Sequence, residues 1–332
     1  ANAGFMTSMK RLHKEFREYI DKAPALSAPQ IGYFCMEYGL HQSMRLYSGG
    51  LGILAGDYLK EVSDRNFNLF AVGLLYRYGY FQQGISMHGD QIHHVEPAKF
   101  TQLPLQPVRD ERGEWIKTHV NLAGRTVWAK VWMLPVGRVS LYLLDTDIDD
   151  NTWKDRSITH QLYGGDNENR LRQEILLGVG GLRVLKAMGL SPDIYHLNEG
   201  HAAFLGLERI RNYMKDKELS YLEALEVVRS TQLFTTHTPV PAGHDTFSEN
   251  LLRVYLYEYT YALDISWRDL VGLGRVDPDS SSELFNVSHL AIHTSQEING
   301  VSRLHGEVSQ KMFVELNPDY NYAESNIGYV TN

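Results

Sequence analysis

Short apolar runs and longer stretches of helical periodicity alternate along much of the chain. Residues 31–36, 69–75, 193–197 and 232–236 are short and apolar enough to be buried strands, and residues 53–66 carry apolar side chains at nearly helical spacing. Buried strands that alternate with helices are typical of βαβ units. The pattern therefore predicts an α/β fold built on a mostly parallel sheet.

The periodicity changes to two between residues 78 and 145. Val127 and Val131 alternate with residues such as Trp128, and after a Pro-Val-Gly-Arg turn the alternation resumes. Alternation of this kind is typical of strands that bury one face. We therefore expect an antiparallel β-rich insertion at about residues 78–145, within a domain that spans residues 31–332.

Helical patterns account for most of the remaining chain. Residues 1–30 form a leading segment that is predicted to be helical to about residue 22, and Asp166 can cap a helix that Gly189 ends. Residues 327–332 have the pattern of a strand that enters a turn, and we expect the chain to be a piece of a longer protein. Further helical patterns cover residues 199–213, 222–228, 251–273 and 286–313.

Charge and cysteine content argue against several classes of protein. The 332 residues carry a formal net charge of -8 with a pI near 6.0, which argues against binding to a nucleic-acid backbone. No apolar run approaches the roughly 20 residues of a membrane span. The single cysteine, Cys35, allows no internal disulfide and suits a reducing compartment. We therefore expect a cytoplasmic protein that binds neither nucleic acid nor membrane.

Polar residues follow three of the predicted strands. The segments are Ser-Gly-Gly-Leu-Gly at 48–52, His-Leu-Asn-Glu-Gly-His at 196–201 and a run with two prolines at 235–244. Ligands of open α/β sheets bind outside the carboxyl ends of the strands. The three segments therefore predict a site for a polar, phosphate-bearing substrate.

The glycine-rich segment has two interpretations. A strand-to-helix turn presents unpaired N–H groups and a positive dipole end to phosphate or to a sugar oxygen. The turn is not G-x-G-x-x-G and no P-loop lysine follows, so nucleotide binding is not indicated. Taken alone, Gly49, Gly50 and Gly52 are better explained by a tight packing turn.

The histidine-rich segments also leave alternatives. His196, Glu199 and His201 do not form H-E-x-x-H, so a metal site is disfavoured. Hydrogen bonding to a hydroxylated ligand is favoured over a helix cap beside a core histidine. His237 lies on a segment that prolines make rigid, which suits a fixed imidazole or backbone carbonyl, with a structural loop as the alternative.

Other polar residues have simpler explanations. Asp166 and Asn167 are expected to cap a helix. Arg170 and Arg172 are expected to form surface pairs with Glu174, which contribute little to stability.

Several motifs together closely resemble one family. Residues 48–57, the run Leu-Tyr-Arg-Tyr-Gly-Tyr-Phe-Gln-Gln at 75–83, and residues 196–201, 235–247 and 299–308 are similar, in this order, to the N-terminal half of α-glucan (glycogen, starch or maltodextrin) phosphorylases. The chain resembles the compact bacterial type, without the long N-terminal regulatory extension of the animal enzymes, so allosteric control is not expected.

The resemblance implies a fold, a reaction and a cofactor. The chain would be the Rossmann-like N-terminal domain of a two-domain GT-B glycosyltransferase, facing its own C-terminal domain across a cleft. The family cleaves α-1,4-glucan with inorganic phosphate, releases glucose 1-phosphate with retention and commonly forms homodimers. Pyridoxal phosphate lies on a lysine of the C-terminal domain. A chain that ends at Asn332 is therefore expected to be inactive alone and to bind no cofactor.

The resemblance also implies roles for individual residues and no metal. The backbone N–H of Gly50 would bind the substrate phosphate, and Leu51 would line the glucosyl site. The backbone carbonyl and ring of His237 would face the glucosyl unit that is cleaved, and Asn332 would bond a glucose hydroxyl. Glu199 stands where the family often has Asp. The other substrate-binding positions are Glu37, Gly49, Tyr163, Asp166, Arg170, Asn198, His201 and Val301.

Two alternatives to a phosphorylase are consistent with the residues. A glycogen or starch synthase-like transferase shares a Gly-Gly-Leu-Gly turn on a related fold, and the chain could instead be a non-catalytic glucan-binding module. The donor distinguishes the enzymes, because a phosphorylase uses glucose 1-phosphate with pyridoxal phosphate and a synthase uses a nucleotide sugar. A C-terminal half that bears the cofactor lysine would distinguish an enzyme from a binding module.

Overall fold

The computed structural model describes residues 2–24, 28–80 and 82–332. Parts of the predicted leading segment (1 and 25–27) and Phe81 of the tyrosine-rich motif lie outside the described residues. The strands are β1 (Ile31–Cys35), β2 (Leu69–Leu74), β3 (Gln82–Ile85), β4 (Gln91–His94), β5 (Gln106–Pro107), β6 (Lys117–Leu122), β7 (Arg125–Val136), β8 (Val139–Asp145), β9 (Ile194–Asn198), β10 (Gln232–Thr236), β11 (Thr246–Phe247), β12 (Phe285–Asn286), β13 (Glu297–Gly300) and β14 (Ile327–Tyr329).

Helices flank these strands and follow the predicted periodic segments. In the described part of the chain they are α1 (Ala3–Ile20), α2 (Gly50–Arg65), α3 (Trp153–Arg156), α4 (Asn167–Ile175), α5 (Gly181–Ala187), α6 (Phe204–Lys217), α7 (Tyr221–Arg229), α8 (Glu249–Leu263), α9 (Trp267–Gly272), α10 (Val287–His293) and α11 (Arg303–Met312).

One large sheet organises the fold. In the order β14-β13-β10-β9-β1-β2-β8, each strand is parallel to its neighbours. Parallel strands need crossover connections, and helices such as α2 between β1 and β2 supply them. The predicted α/β class and the parallel pairing of β1, β9 and β10 are confirmed.

The segment 78–145 extends the same sheet with antiparallel strands. β7 pairs antiparallel with β8, β6 and β5, whereas β8 pairs parallel with β2. β3 and β4 form a separate antiparallel hairpin. Antiparallel pairing in this region was predicted, and the structure adds that β8 joins it to the central sheet. The division of the chain into leading helix, domain and insertion stays a prediction.

Helices cover both faces of the sheet at β1. The ring of Tyr33 packs against Tyr58 of α2, with centroids 5.0 Å apart. The next residue, Phe34, points to the other face, where a Cβ on Gly181 would lie 2.9 Å from its ring. A strand covered on both sides buries every side chain, as all six residues of β2 are. This explains why the sequence shows continuous apolar runs there.

Capping residues set several helix boundaries. The Asp166 carboxylate accepts a hydrogen bond from the Asn169 backbone N at 2.9 Å and caps α4, as predicted. A π-helical turn over Leu176–Gly180 joins α4 to α5. Among the described residues, no helix has both the length and the apolar character that crossing a bilayer requires.

One local prediction is wrong, and another missed a strand. A helix was expected from residue 199, but Glu199 has a positive φ of 71°, a 3₁₀ turn covers Gly200–Ala202, and α6 begins only at Phe204. The segment 286–313 is mostly helical, as predicted, in α10 and α11, but β13 lies between the two helices. The sequence of β13, Glu-Ile-Asn-Gly, has one large apolar side chain, so its strand character comes from pairing with β10 and β14.

Candidate active site

The parallel register brings three polar segments to one edge of the sheet. Cys35 pairs with Asn198, and Asn198 pairs with Thr235, so β1, β9 and β10 end side by side. The residues that follow these strands therefore emerge at the carboxyl edge, where α/β folds bind ligands.

An open cavity of about 630 Å³ lies at this edge. Its volume is in the usual range for small-molecule sites, roughly 300–1,000 Å³. Seven of the predicted site residues line the cavity, from all three segments, from the loop before α4 and from α4 itself: Leu51, Tyr163, Asp166, Arg170, Glu199, His201 and His237.

The remaining predicted site residues do not line this cavity. Val301 and Asn332 lie together beyond β13 and β14, where the Asn332 N–H donates to the Val301 carbonyl at 3.1 Å. Glu37 and Asn198 hydrogen-bond to the lining residues Tyr163 and His237, and Gly50 precedes the lining residue Leu51. Gly49 is one position further away and bonds to Glu37.

The Glu37 carboxylate holds the glycine turn in place through hydrogen bonds. Its buried carboxylate accepts hydrogen bonds from the Ser48 N–H at 2.7 Å and the Gly49 N–H at 3.3 Å. The hydroxyl of Tyr163 donates to the other carboxylate oxygen. Because Tyr163 lines the cavity, Glu37 links the glycine turn to the opposite side of the site.

The glycines of the turn divide into two kinds. A Cβ on Gly52 would lie 2.4 Å from Cβ of Tyr47, and one on Gly56 would lie 2.2 Å from the Gly39 carbonyl oxygen, so both glycines permit close packing. A Cβ on Gly49 or Gly50 would meet no described atom within 4 Å. The packing interpretation therefore holds for Gly52 and does not explain Gly49 and Gly50.

A carboxylate and an amide hold the His237 segment in place. Oε1 of Glu199 accepts hydrogen bonds from the backbone N of His237 at 2.9 Å, from the backbone N of Thr238 at 2.8 Å and from the Thr238 hydroxyl at 2.6 Å. Nε2 of His237 lies 2.6 Å from Oδ1 of Asn198. An amide oxygen only accepts, so Nε2 carries a proton. We call these contacts of Asn198 and Glu199 with His237 and Thr238 the His237 clamp.

In the His237 clamp, Glu199 is ionised and His237 is neutral. Burial would raise the pKa of Glu199, but His201 and the Thr238 hydroxyl hold that pKa below its ordinary value. Burial lowers the pKa of His237. At neutral pH the carboxylate therefore accepts all three hydrogen bonds while the imidazole stays uncharged.

The backbone of Glu199 is strained. Its φ of 71° and ψ of 172° fall in a region that only glycine normally occupies. Such a conformation costs about 1–3 kcal/mol and persists where the surroundings enforce it, commonly at functional sites. Here the strain turns the carboxylate from the end of β9 towards the backbone of residues 237–238.

Arg170 and Asp245, which both line the cavity, form an ion pair. Nε and Nη2 of Arg170 lie 2.9 and 2.6 Å from Oδ2 of Asp245, and the guanidinium stacks 4.1 Å above the ring of Tyr163. Burial would lower the pKa of Arg170, but the carboxylates of Glu174 and Asp245 raise it. Arg170 is therefore a fixed positive charge at the cavity wall.

The prediction that Arg170, Arg172 and Glu174 form surface pairs is wrong. Glu174 is fully buried and Arg172 is 6% exposed, and Nε of Arg172 bonds to the Tyr255 hydroxyl at 2.8 Å. The covering residues, Asp245 and Tyr255, follow more than 70 positions later, so local sequence could not reveal the burial.

Sequence reasoning also missed Thr238 and Asp245 as site residues. Both line the cavity, and Oδ2 of Asp245 lies 3.5 Å from Nε2 of His201. Their position in the polar segment after β10 is the feature of the sequence that could have identified them as site residues. His196, by contrast, does not line the cavity: its partly buried ring packs 4.9 Å from that of Tyr33, and burial lowers its pKa to about 3.

The cavity offers no evident site for a metal or for pyridoxal phosphate. Within residues 2–24, 28–80 and 82–332, no group of three or more His, Cys, Asp and Glu side chains is arranged to hold a metal ion. Pyridoxal phosphate is held through a Schiff base to lysine, and no lysine is among the described residues that line the cavity. These residues therefore do not fit that cofactor.

Comparison with known proteins gives family matches at both ends of the chain. A family model described as carbohydrate phosphorylase matches residues 191–332, and a model for a family of unknown function, DUF3417, matches residues 1–44. The chain is 43% identical over 310 residues to the maltodextrin phosphorylase of Thermococcus litoralis. The aligned residues make up 91% of this chain and 36% of the relative.

Two glycogen phosphorylases are similar to the chain to a comparable extent. That of Mycobacterium tuberculosis is 44% identical over 315 residues, or 91% of this chain and 36% of the relative. That of Aquifex aeolicus is 34% identical over 333 residues, or 99% of this chain and 47% of the relative. The chain thus spans less than half the length of each of these relatives. With the family match over residues 191–332, these similarities confirm the resemblance seen in the sequence: over most of its length the chain is similar to part of the maltodextrin and glycogen phosphorylases.

Proposed function

We propose that this chain supplies one wall of the active site of an α-1,4-glucan phosphorylase. Such a hexosyltransferase cleaves glycogen, starch or maltodextrin with inorganic phosphate and yields glucose 1-phosphate with retention. The observation that carries the proposal is the cavity at the strand ends, where Leu51 of the glycine turn and the clamped His237 share one wall. The names of the relatives, maltodextrin and glycogen phosphorylase, support it.

The glycine turn would bind the substrate phosphate. No side chain caps the first turn of α2, so its N–H groups and the positive end of the helix dipole can meet an anion. The open space at Gly50 lets a phosphate oxygen approach the backbone N–H without meeting a side chain. Gly49 adjoins this position and is held by Glu37.

His237 would act on the glucosyl unit. Glycosyl transfer passes through a transition state with positive charge on the sugar ring, which the negative end of a carbonyl dipole stabilises. We assign this role to the backbone carbonyl of His237, with Leu51 and the imidazole shaping the pocket. The His237 clamp fixes the backbone before substrate arrives, and preorganised dipoles stabilise charge without reorganisation cost.

The opposite side of the cavity would receive the acceptor sugar. Tyr163 and Asp166 line it from the loop before α4, Arg170 lines it from the first turn of α4, and Glu199 and His201 complete it. Two further substrate-binding residues lie outside the cavity lining. Asn332 would hydrogen-bond a glucose hydroxyl, and Val301 would lie nearby.

A second domain would complete the site. We propose that the chain is the Rossmann-like N-terminal domain of a two-domain GT-B enzyme whose C-terminal domain faces the cavity. That domain would carry pyridoxal phosphate, which supplies a phosphate group for proton transfer when bound.

We also propose a domain organisation, an oligomeric state and a cellular location for the protein. We propose a leading segment over residues 1–30 that contains α1, one domain over 31–332 with an insertion at about 78–145, and assembly as a homodimer. The one thiol, Cys35, is buried and reduced. It suits a reducing compartment, and we propose a cytoplasmic location.

Replacing His237 with alanine tests the proposed role of the clamp. In the intact enzyme, His237→Ala should lower kcat for phosphorolysis about 100-fold, because the imidazole and its bond to Asn198 no longer order the carbonyl. The melting temperature should change little, since His237 is only partly buried. The exposed hairpin residue His88 provides a matched control, and His88→Ala should leave kcat unchanged. Equal losses of activity and stability would instead favour a structural loop.

A further inference from the structure

A second cavity, of about 410 Å³, lies near the amino end of β9. Tyr195 of β9 lines this cavity, whereas the residues after Asn198 reach the candidate active site. The two cavities are thus separated by much of a five-residue strand, roughly 15 Å at about 3.3 Å per residue.

An unusual arginine forms part of the second cavity. Arg209 is 2% exposed, and its guanidinium stacks 3.8 Å from the ring centre of Tyr195. Its hydrogen bonds go to neutral acceptors: the Val228 carbonyl at 3.2 Å, the Gln232 side-chain oxygen at 3.1 Å and the Thr231 hydroxyl at 2.6 Å. No carboxylate of the described chain lies within ion-pair distance of Arg209.

The other deeply buried arginines are neutralised within the chain. Arg172 pairs with Glu168 at 2.5 Å, and Arg275 pairs with Glu249 at 3.0 Å. A buried charge without a counter-charge is costly and is normally paired. Arg209 therefore leaves an uncompensated positive charge in the wall of an open cavity.

The cavity as a whole is positively charged. Lys186, Lys217 and Arg209 line it, and the single acidic lining residue, Asp216, pairs with Lys186 at 3.0 Å. The net charge of the lining is therefore +2, from Lys217 and Arg209. This local excess stands in a chain whose net charge is -8. The aromatic side chains of Tyr195 and Tyr213 add apolar surface.

We propose that this cavity binds a small organic anion. The charged group, a phosphate or a carboxylate, would be attracted by Lys186, Lys217 and Arg209, and a ring of sugar or aromatic size would lie against Tyr195 and Tyr213. A charged group suits Lys217 and Arg209, which have no ion-pair partner among the described residues, and the cavity volume suits a ligand larger than a simple ion. The site is separate from the proposed glucan and phosphate site and does not depend on it.

Calorimetric titration of the protein with matched ligands tests this site. Phenyl phosphate and benzoate differ in the anionic group, and benzyl alcohol has the ring without the charge. At least one anion should bind at least tenfold more tightly than benzyl alcohol, more weakly as NaCl rises. The tighter of the two anions identifies the charged group. The double variant Lys186→Gln, Lys217→Gln should weaken its binding at least tenfold.

The control is Lys215→Gln, since Lys215 is exposed on the same helix and does not line the cavity. This variant should bind like the wild type. A crystal soaked with 4-bromophenyl phosphate or 4-bromobenzoate gives a second readout, with anomalous density expected beside Tyr195. The proposal is wrong if no ligand saturates the protein, if benzyl alcohol binds as tightly as the anions, if the double variant binds unchanged, or if density appears only elsewhere.

Discussion

Gly50→Val in the intact enzyme should lower kcat/KM for phosphorolysis by about 100- to 1,000-fold, the loss typical of removing a preorganised backbone donor. A Cβ at Gly50 meets no described atom within 4 Å, so the valine side chain would extend into the space through which phosphate approaches the N–H. The fold should survive for the same reason. Steady-state phosphorolysis and a thermal melt of the purified variant measure the two effects.

A neighbouring glycine provides the contrast for this experiment. Gly52→Val should destabilise the fold, because a Cβ at Gly52 lies 2.4 Å from Cβ of Tyr47 and 2.7 Å from Oε2 of Glu37. The two variants thus separate close packing from ligand approach within one turn. Near-normal phosphorolysis by Gly50→Val would show that this glycine does not admit a substrate.

The 332-residue chain by itself should release no glucose 1-phosphate from glycogen and phosphate, and should form no Schiff base with pyridoxal phosphate. Stabilisation of a glycosyl transition state needs preorganised groups on both sides of the reacting bond. Here one wall carries a glycine turn, an imidazole and an arginine, and no lysine lines the described cavity. Water would also fill a cavity that is open on one side, which weakens electrostatic interactions with the substrate.

Glucose 1-phosphate assay and cofactor absorbance of the purified chain measure this outcome, with the intact enzyme as the positive control. Turnover well above background, or one cofactor bound covalently per chain, would mean that the catalytic groups lie within these residues after all.

Much of the sheet could be predicted from sequence because burial on both faces leaves a direct signal. β1, β2, β9 and β10 lie within predicted apolar runs. β13 left no such signal, since two of its four residues are Glu and Asn. Its strand conformation depends on pairing with neighbours, which is a tertiary property.

The site was predictable where local chemistry follows a strand end. The polar segments after β1, β9 and β10 contributed Leu51, Glu199, His201 and His237 to one cavity, as expected from parallel topology. The burial of Arg170 was not predictable, because its partner Asp245 is distant in sequence. The conformation of Glu199 was hidden as well, since a positive φ at a glutamate has no local sequence signature.

The donor chemistry of the intact enzyme tests the central claim most directly. Incubated with glycogen, inorganic phosphate and pyridoxal phosphate, the protein should release glucose 1-phosphate of α configuration, and the reverse reaction should lengthen a maltodextrin from glucose 1-phosphate. Extension of glucan from a nucleotide sugar, with no glucose 1-phosphate formed or consumed, would contradict the account and favour the synthase-like alternative. Glucan binding without either reaction would contradict it too and favour a binding module.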